Sequence, residues 1–140
     1  IRNDIGTLVV GYNTTFQRSS DLGRQTNQIF AGIPFGILRR KLKYLCEMNG
    51  IRYVEQEESY TSMASFWDLD EMPVYGEAGL VPPVFSGRRI CRGLYQDRSG
   101  RRINADVNGA LNIMRKCNIV SLRALYDRGD VDTPVRIRIA

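Results

Sequence analysis

The chain contains no histidine. That absence excludes Ser-His-Asp and Cys-His catalysis, and every His-ligated metal site, within these residues. Cysteine is nearly as scarce: Cys46, Cys91 and Cys117 are the only three, and no two form a C-x-x-C pair. Their spacing suits neither a disulfide framework nor a zinc site, and free thiols in a reducing cytosol fit best. No apolar run reaches the roughly 20 residues that a membrane-spanning helix needs. No basic-plus-apolar leader opens the chain, so nothing argues for secretion. Internal repeats and low-complexity tracts are missing as well. Any hydrolysis here must run on carboxylates and hard metal ions.

What is present suits a small globular unit. A length of 140 residues is enough for one domain with a real core, and 43% hydrophobic with 25% charged residues is ordinary for one. The net charge of +5 and a pI near 9.4 make nucleic acid the first partner to consider. A soluble protein that is merely basic is the competing reading. The chain starts at Ile1 rather than Met and runs almost directly into a strand-like segment. That start is expected of a fragment whose natural beginning lies upstream.

Along the chain, Ile5 to Tyr12 (IGTLVVGY) reads as a buried strand. Residues 13–33 are polar and Gly-dotted, as in a loop. Pro34 opens a helix whose apolar stripe is Phe35, Leu38, Leu42 and Leu45, and Gly50 stops it. Arg39, Arg40 and Lys43 lie on another face, either solvated or contacting phosphates. Ile51 to Glu58 (IRYVEQEE) reads as a second strand, completing a strand–helix–strand unit. Residues 66–87 carry Pro73, Pro82 and Pro83 and are expected to be irregular. Ser86 to Arg102 holds six arginines interrupted by Gly87, Gly93 and Gly100, a pattern of turns or a mobile loop. Ala105 to Lys116 is a helix with an apolar face of Val107, Ala110, Leu111 and Met114, capped by Asn104 and with Asp106 in its first turn. The tail from Val120 has no clear pattern.

Two stretches, EESYTSMASF (Glu57 to Phe66) and INADVNGALNIMRK (Ile103 to Lys116), carry a family resemblance. With NQIFAGIPFGIL (Asn27 to Leu38) and FSGRRICRGLY (Phe85 to Tyr95), they resemble the C-terminal half of TnpB/OrfB proteins. These are transposon-encoded relatives of the type V CRISPR effector nucleases. The resemblance covers about Ile5 to Lys116. It implies a partial RNase H-like (RuvC) α/β fold with an inserted, degenerate zinc-ribbon-like segment. It also implies a transposase-type endonuclease that cuts DNA under a guide RNA, using magnesium held by three carboxylates. DNA and guide RNA are the implied partners, no membrane is involved, and the location is cytoplasmic, on the nucleoid in a bacterium.

Carried over residue by residue, the last catalytic aspartate of the family matches Asp106. The plain alternative is a helix-start charge that suits the dipole. The first aspartate sits in a G-I-D-x-G motif that does not occur here and is expected upstream of Ile1. The chain alone is therefore expected to be inactive. The middle carboxylate ends a V-V-I-E-D-L strand in most members, but Gly11 stands at that place. The resemblance to rearranged branches moves the role to Glu57 or Glu58. Strand alternation favours Glu58, which shares a face with Val54 and Gln56. Glu57 would bring Glu55 onto the same rim as an extra anion. An exposed strand end is the plain alternative for both.

Family members often carry two C-x-x-C knuckles in the insert. Here they would fall near Ser65 and Asp68 and near Arg92 and Tyr95, and the cysteines are gone, so no structural zinc is expected. Phe66, Trp67, Phe85 and Tyr95 are read as a small core holding the segment, or else as base-stacking platforms. Arg88, Arg89 and Arg92 are the candidate nucleic-acid contacts, on a loop over the active-site side. The implied organisation is 1–60 RuvC-like strand–helix–strand part, 61–103 degenerate zinc-ribbon-like, target nucleic-acid-binding insert, 104–119 final helix with the last aspartate, and 120–140 tail. Two alternatives stay open: a catalytically inactive relative that binds DNA under RNA guidance, and a DDE-type transposase, which shares the fold and the two-metal chemistry but usually ends on a glutamate.

Overall fold

The computed structural model of the chain describes residues 5–13, 34–76 and 82–128. The loop read over residues 14–33, with the 27–33 part of the NQIFAGIPFGIL stretch, and the tail beyond residue 128 lie outside the described residues. The chain divides into two compact units, Ile1–Glu57 and Glu58–Ala140. It is mixed α/β with small sheets.

In the first unit, β1 (Thr7–Tyr12) pairs with β2 (Arg52–Glu57) in parallel, with Val9 opposite Val54, Gly11 opposite Gln56 and Tyr12 opposite Glu57. Parallel neighbours need a crossover, and α1 (Phe35–Met48) lies within it, so the strand–helix–strand unit is present. The Pro34 carbonyl accepts the Ile37 and Leu38 N–H groups at 2.9 and 3.0 Å, and Gly50 closes the other end on Glu47.

The inward face of α1 differs from the expected stripe. Leu38 and Leu45 are 47% and 52% exposed, whereas Cys46 is buried. The less exposed positions are Phe35, Arg39, Leu42 and Cys46, one residue round the helix. Arg39 explains the rotation. Its guanidinium reaches Glu55 at 3.3 Å and lies 5.8 Å from the Tyr12 ring centroid, so its aliphatic stem occupies an inward position.

The second unit has β3 (Arg88–Cys91), β4 (Leu94–Gln96) and β5 (Arg102–Asn104) in an antiparallel sheet of order β3-β4-β5. The helices α2 (Ala105–Cys117) and α3 (Arg123–Arg128) follow. The expected loop over Ser86–Arg102 is therefore a three-stranded meander. Gly93, with φ +81°, turns the chain between β3 and β4, and Gly87, just ahead of β3, is held close: a Cβ there would sit 2.6 Å from the Gln96 carbonyl and the Tyr95 ring. Phe66, Tyr95, Ile103, Ala105, Leu111 and Leu122 form the core, with Trp67, Val107, Met114, Leu125 and Tyr126 packed against it. Phe66 stacks on Tyr126 at 4.6 Å, which ties α3 to the core. Residues 66–76 and 82–87 form no helix or strand, as expected. Of the expected face of α2, Leu111 is buried, but Ala110 is exposed. Among the described residues no helix is long and apolar enough to cross a membrane.

Candidate carboxylate site and nucleic-acid interface

Asp106 stands exposed in the first turn of α2. Asn104 caps that turn, its Oδ1 accepting the Asp106 and Val107 N–H groups at 2.9 and 3.1 Å. Gly109, three residues on, has open space where a side chain would begin. The carboxylate is thus held on a rigid, capped turn with room beside it. An acidic group here also complements the helix dipole, so the plain reading of Asp106 is met at the same time.

Glu58 is not on the strand. β2 ends at Glu57, and the Glu58 carbonyl accepts both the Thr61 N–H at 3.2 Å and the Thr61 hydroxyl at 2.9 Å. Strand alternation stops one residue short of it, so alternation no longer selects Glu58 over Glu57. The extra-anion argument against Glu57 weakens too. Glu55 is compensated by Arg39 and by the Tyr53 hydroxyl at 3.0 Å. Burial, and then the Glu55 contact, push the Tyr53 hydroxyl up to about 12.

The segment after Glu58 is fastened along α2 by residues that sequence reasoning did not single out. Asn108 and Asn112 are both 0% exposed. Asn112 Nδ2 donates to the Thr61 and Ala64 carbonyls at 2.9 and 2.7 Å. Asn108 Nδ2 donates to Ala64 at 2.9 Å, while its Oδ1 accepts the Phe66 N–H at 3.1 Å. Lys116 adds a bond to the Ser59 carbonyl at 3.2 Å. The 59–66 segment therefore runs antiparallel to α2, with Phe66 level with Asn108 near the Asp106 end. The two family-like stretches meet in space through this ladder. Two asparagines spaced i, i+4 beside Leu111 were the available signal.

The positions expected for zinc knuckles are filled by a polar hub instead. Asp70 accepts the Ser65 and Ser86 N–H groups at 2.8 and 3.0 Å and also the Ser86 hydroxyl. Burial alone would raise its carboxyl, but these hydrogen bonds and the Arg115 charge outweigh it and hold the group below the ordinary range. Asp68 accepts the Arg98 N–H at 3.0 Å, and Ser65 Oγ accepts the Asp68 N–H at 3.2 Å. Tyr95 is buried and donates to the Met63 carbonyl at 2.8 Å; burial and then the nearby aspartates push its hydroxyl up to about 12. Phe66, Trp67 and Tyr95 belong to the core or its shell, and Phe85 packs on Tyr60 at 5.7 Å. Among the described residues no group of three or more His, Cys, Asp or Glu side chains is arranged to hold a metal.

Arg88 and Arg89 lie on β3, an edge strand exposed along its length, and Arg92 is exposed in the β3–β4 turn. Among the described residues no ion pair is formed by Arg88, Arg89 or Arg92. Charge on an edge also discourages strand-to-strand aggregation, which is the plain reading of Arg88 and Arg89. Arg101 serves the scaffold, its guanidinium 4.6 Å from the Trp67 ring centroid.

No curated protein matches the chain. A family model does: the Cas12f1-like TNB domain matches residues 35–113, more than half of the chain. That span holds α1, the 59–66 turn, the arginine meander and Asp106. The TnpB-like resemblance read from the sequence and this match agree, and the chain belongs to the Cas12f1-like TNB-domain family, among the relatives of TnpB and Cas12-type nucleases.

Proposed function

We propose that this chain is the C-terminal part of a transposon-associated, RNA-guided DNA endonuclease with a RuvC-like (RNase H-fold) catalytic domain. What supports the reading is the family match, because one matched span contains the turn after Glu58, the exposed arginines and the Asp106 helix. Guide RNA and target DNA are the partners, and the cytoplasm is the place of action, on the nucleoid where the host is a bacterium.

Asp106 and Glu58 are the proposed carboxylates of the cutting site. As oxygen donors they suit a hard cation in kind, and as a pair they leave a third ligand to be supplied. They would hold magnesium, which supplies an activated water and stabilises the leaving oxygen of the phosphodiester. The rest falls to the chain's own residues. Asn104 fixes the turn that presents Asp106. Asn108 and Asn112 lock the segment following Glu58 against the same helix, so both carboxylates ride on one framework. Arg88, Arg89 and Arg92 hold phosphates without reading sequence, which the guide RNA does by pairing. The polar hub around Asp70 maintains a zinc-free, ribbon-like insert.

The test is cleavage of guide-matched DNA by the natural protein containing this chain, with magnesium. Asp106→Asn is expected to abolish cutting while guide-RNA and DNA binding persist. Full cutting by the Asp106→Asn protein would reject the assignment. Absence of magnesium-dependent cutting in the unaltered protein would leave guided binding without cleavage in its place.

A further inference from the structure

Beside the meander lies an open groove of about 550 Å³ whose lining includes Phe85, Arg88, Gln96, Asp97, Arg98 and Ser99. That volume falls within the roughly 300–1,000 Å³ of small-ligand sites. Arg88 and Arg98 line it and are exposed. A groove for phosphate alone would not carry a carboxylate, and this one carries Asp97, only 7% exposed. The side-chain hydrogen bonds that Asp97 accepts, from the Ser99 hydroxyl and the Arg101 N–H, both 2.8 Å, fall on Oδ1. Oδ2 is left to accept from a ligand. Gln96 uses Nε2 on the Gly100 carbonyl at 3.1 Å, which leaves its Oε1. Two acceptors on adjacent residues thus stand with two cations.

This donor–acceptor pattern is that of a nucleotide rather than a bare anion. A phosphate satisfies the arginines. A base satisfies Gln96 and Asp97 if its edge offers two N–H groups side by side, and on the Watson–Crick edge guanine does so through N1–H and N2–H. We infer that the groove seats one unpaired guanine nucleotide of a single-stranded nucleic acid, with its phosphate at Arg88 and Arg98 and its base edge on Gln96 and Asp97. The inference rests on the nucleic-acid reading above and adds a base preference to it. In a duplex that guanine edge is already paired, so the groove selects single strands.

The test is fluorescence anisotropy of the 140-residue chain with short labelled single strands, all pyrimidine or with one central guanine, as DNA and as RNA. The guanine strand is expected to bind about fivefold tighter or more. The backbone chemistry that binds better identifies the source of the strand. Asp97→Asn keeps the Oδ1 acceptor that holds the turn and places a donor at Oδ2. It should erase or reverse the guanine preference with circular dichroism unchanged. Gln96→Met is the companion variant should Asp97→Asn unfold, and it should weaken the guanine strand alone. Arg98→Ala should weaken both strands alike. Equal affinity of the unaltered chain for both strands, or equal weakening of both by the Gln96 and Asp97 variants, would overturn the groove. Neutralising Arg88, Arg89 and Arg92 would still weaken binding in that case, leaving the broader reading intact. Failure of the unaltered chain to bind any strand would sink both.

Discussion

In the unit ending at Glu57, Cys46 is the one buried hydrophobic residue among those described, whereas from Glu58 onward Phe66, Tyr95, Ile103, Ala105, Leu111 and Leu122 close a shared core. The first unit relies on a parallel strand pair and one half-exposed ion pair; its helix leaves Tyr44, Leu45 and Met48 exposed. The second adds polar pins to its core: two fully buried asparagines and the Asp70 hub. Buried hydrogen bonds fix one arrangement, because breaking one leaves a desolvated group without a partner, as Asn112 Oδ1 already is. The difference teaches where precision is built in. The unit with the buried core and polar pins is the one that carries Asp106 and the arginines of the meander.

The contrast can be broken most directly in the two interiors. Phe66→Ala is expected to cost about 3–5 kcal/mol, because a fully buried ring is lost from the core. Leu45→Ala on α1 is expected to stay within about 0.5 kcal/mol, as for other exposed sites. Denaturant unfolding followed by the fluorescence of Trp67, the chain's single tryptophan, measures the first, and helix circular dichroism measures the second. Equal losses at the two sites would erase the distinction.

A smaller effect sharpens it through pH. The Asp70 carboxyl is held below its ordinary value of 3.8 in the folded chain, so the unfolded chain binds the proton more readily. Its contribution is therefore fully present above that value and is lost as pH falls through the lower, folded one. Asp70→Asn should cost about 1–2 kcal/mol at neutral pH, and the gap from the unaltered chain should close on acidification. A gap that stays constant into acid would mean that the hub does not depend on the carboxylate's charge. In the first unit, Arg39→Ala should cost at most about 1 kcal/mol, since the pair it forms with Glu55 is more than a third exposed on both sides. Unfolding in low and high salt measures it.

Much of this architecture was legible beforehand, and the misses have particular causes. Thr7–Tyr12 and Arg52–Glu57 were readable from β-branched and aromatic runs, and Ala105–Cys117 from its periodicity and Asn104 cap. The face of α1 was misjudged because hydrophobicity ranks Leu38 above Arg39, while a long stem with a partner at Glu55 can take the inward place. The meander was hidden because strands of three or four residues, rich in arginine and split by glycines, have too few apolar positions to alternate visibly. Asn108, Asn112 and the Asp70–Ser86 contact join residues 16 to 51 apart in the chain. Local pattern does not report such pairings. Asp106 is a candidate because its place in the N-A-D-V-N-G-A-L-N run is a local feature, and Glu58 because of its place ahead of the YTS segment.

The most direct measurement of the account is the salt dependence of nucleic-acid binding after charge removal in each unit. Neutralising Arg88, Arg89 and Arg92 in the second unit is compared with neutralising Arg40 and Lys43, exposed on α1 of the first. The account predicts that the slope of log affinity against log salt falls by about two to three when the meander arginines are removed, roughly one unit per lost phosphate contact. It predicts no change when the α1 cations are removed. An unchanged slope in the meander variant, with a reduced one in the α1 variant, would place the nucleic-acid face on the wrong unit and contradict it.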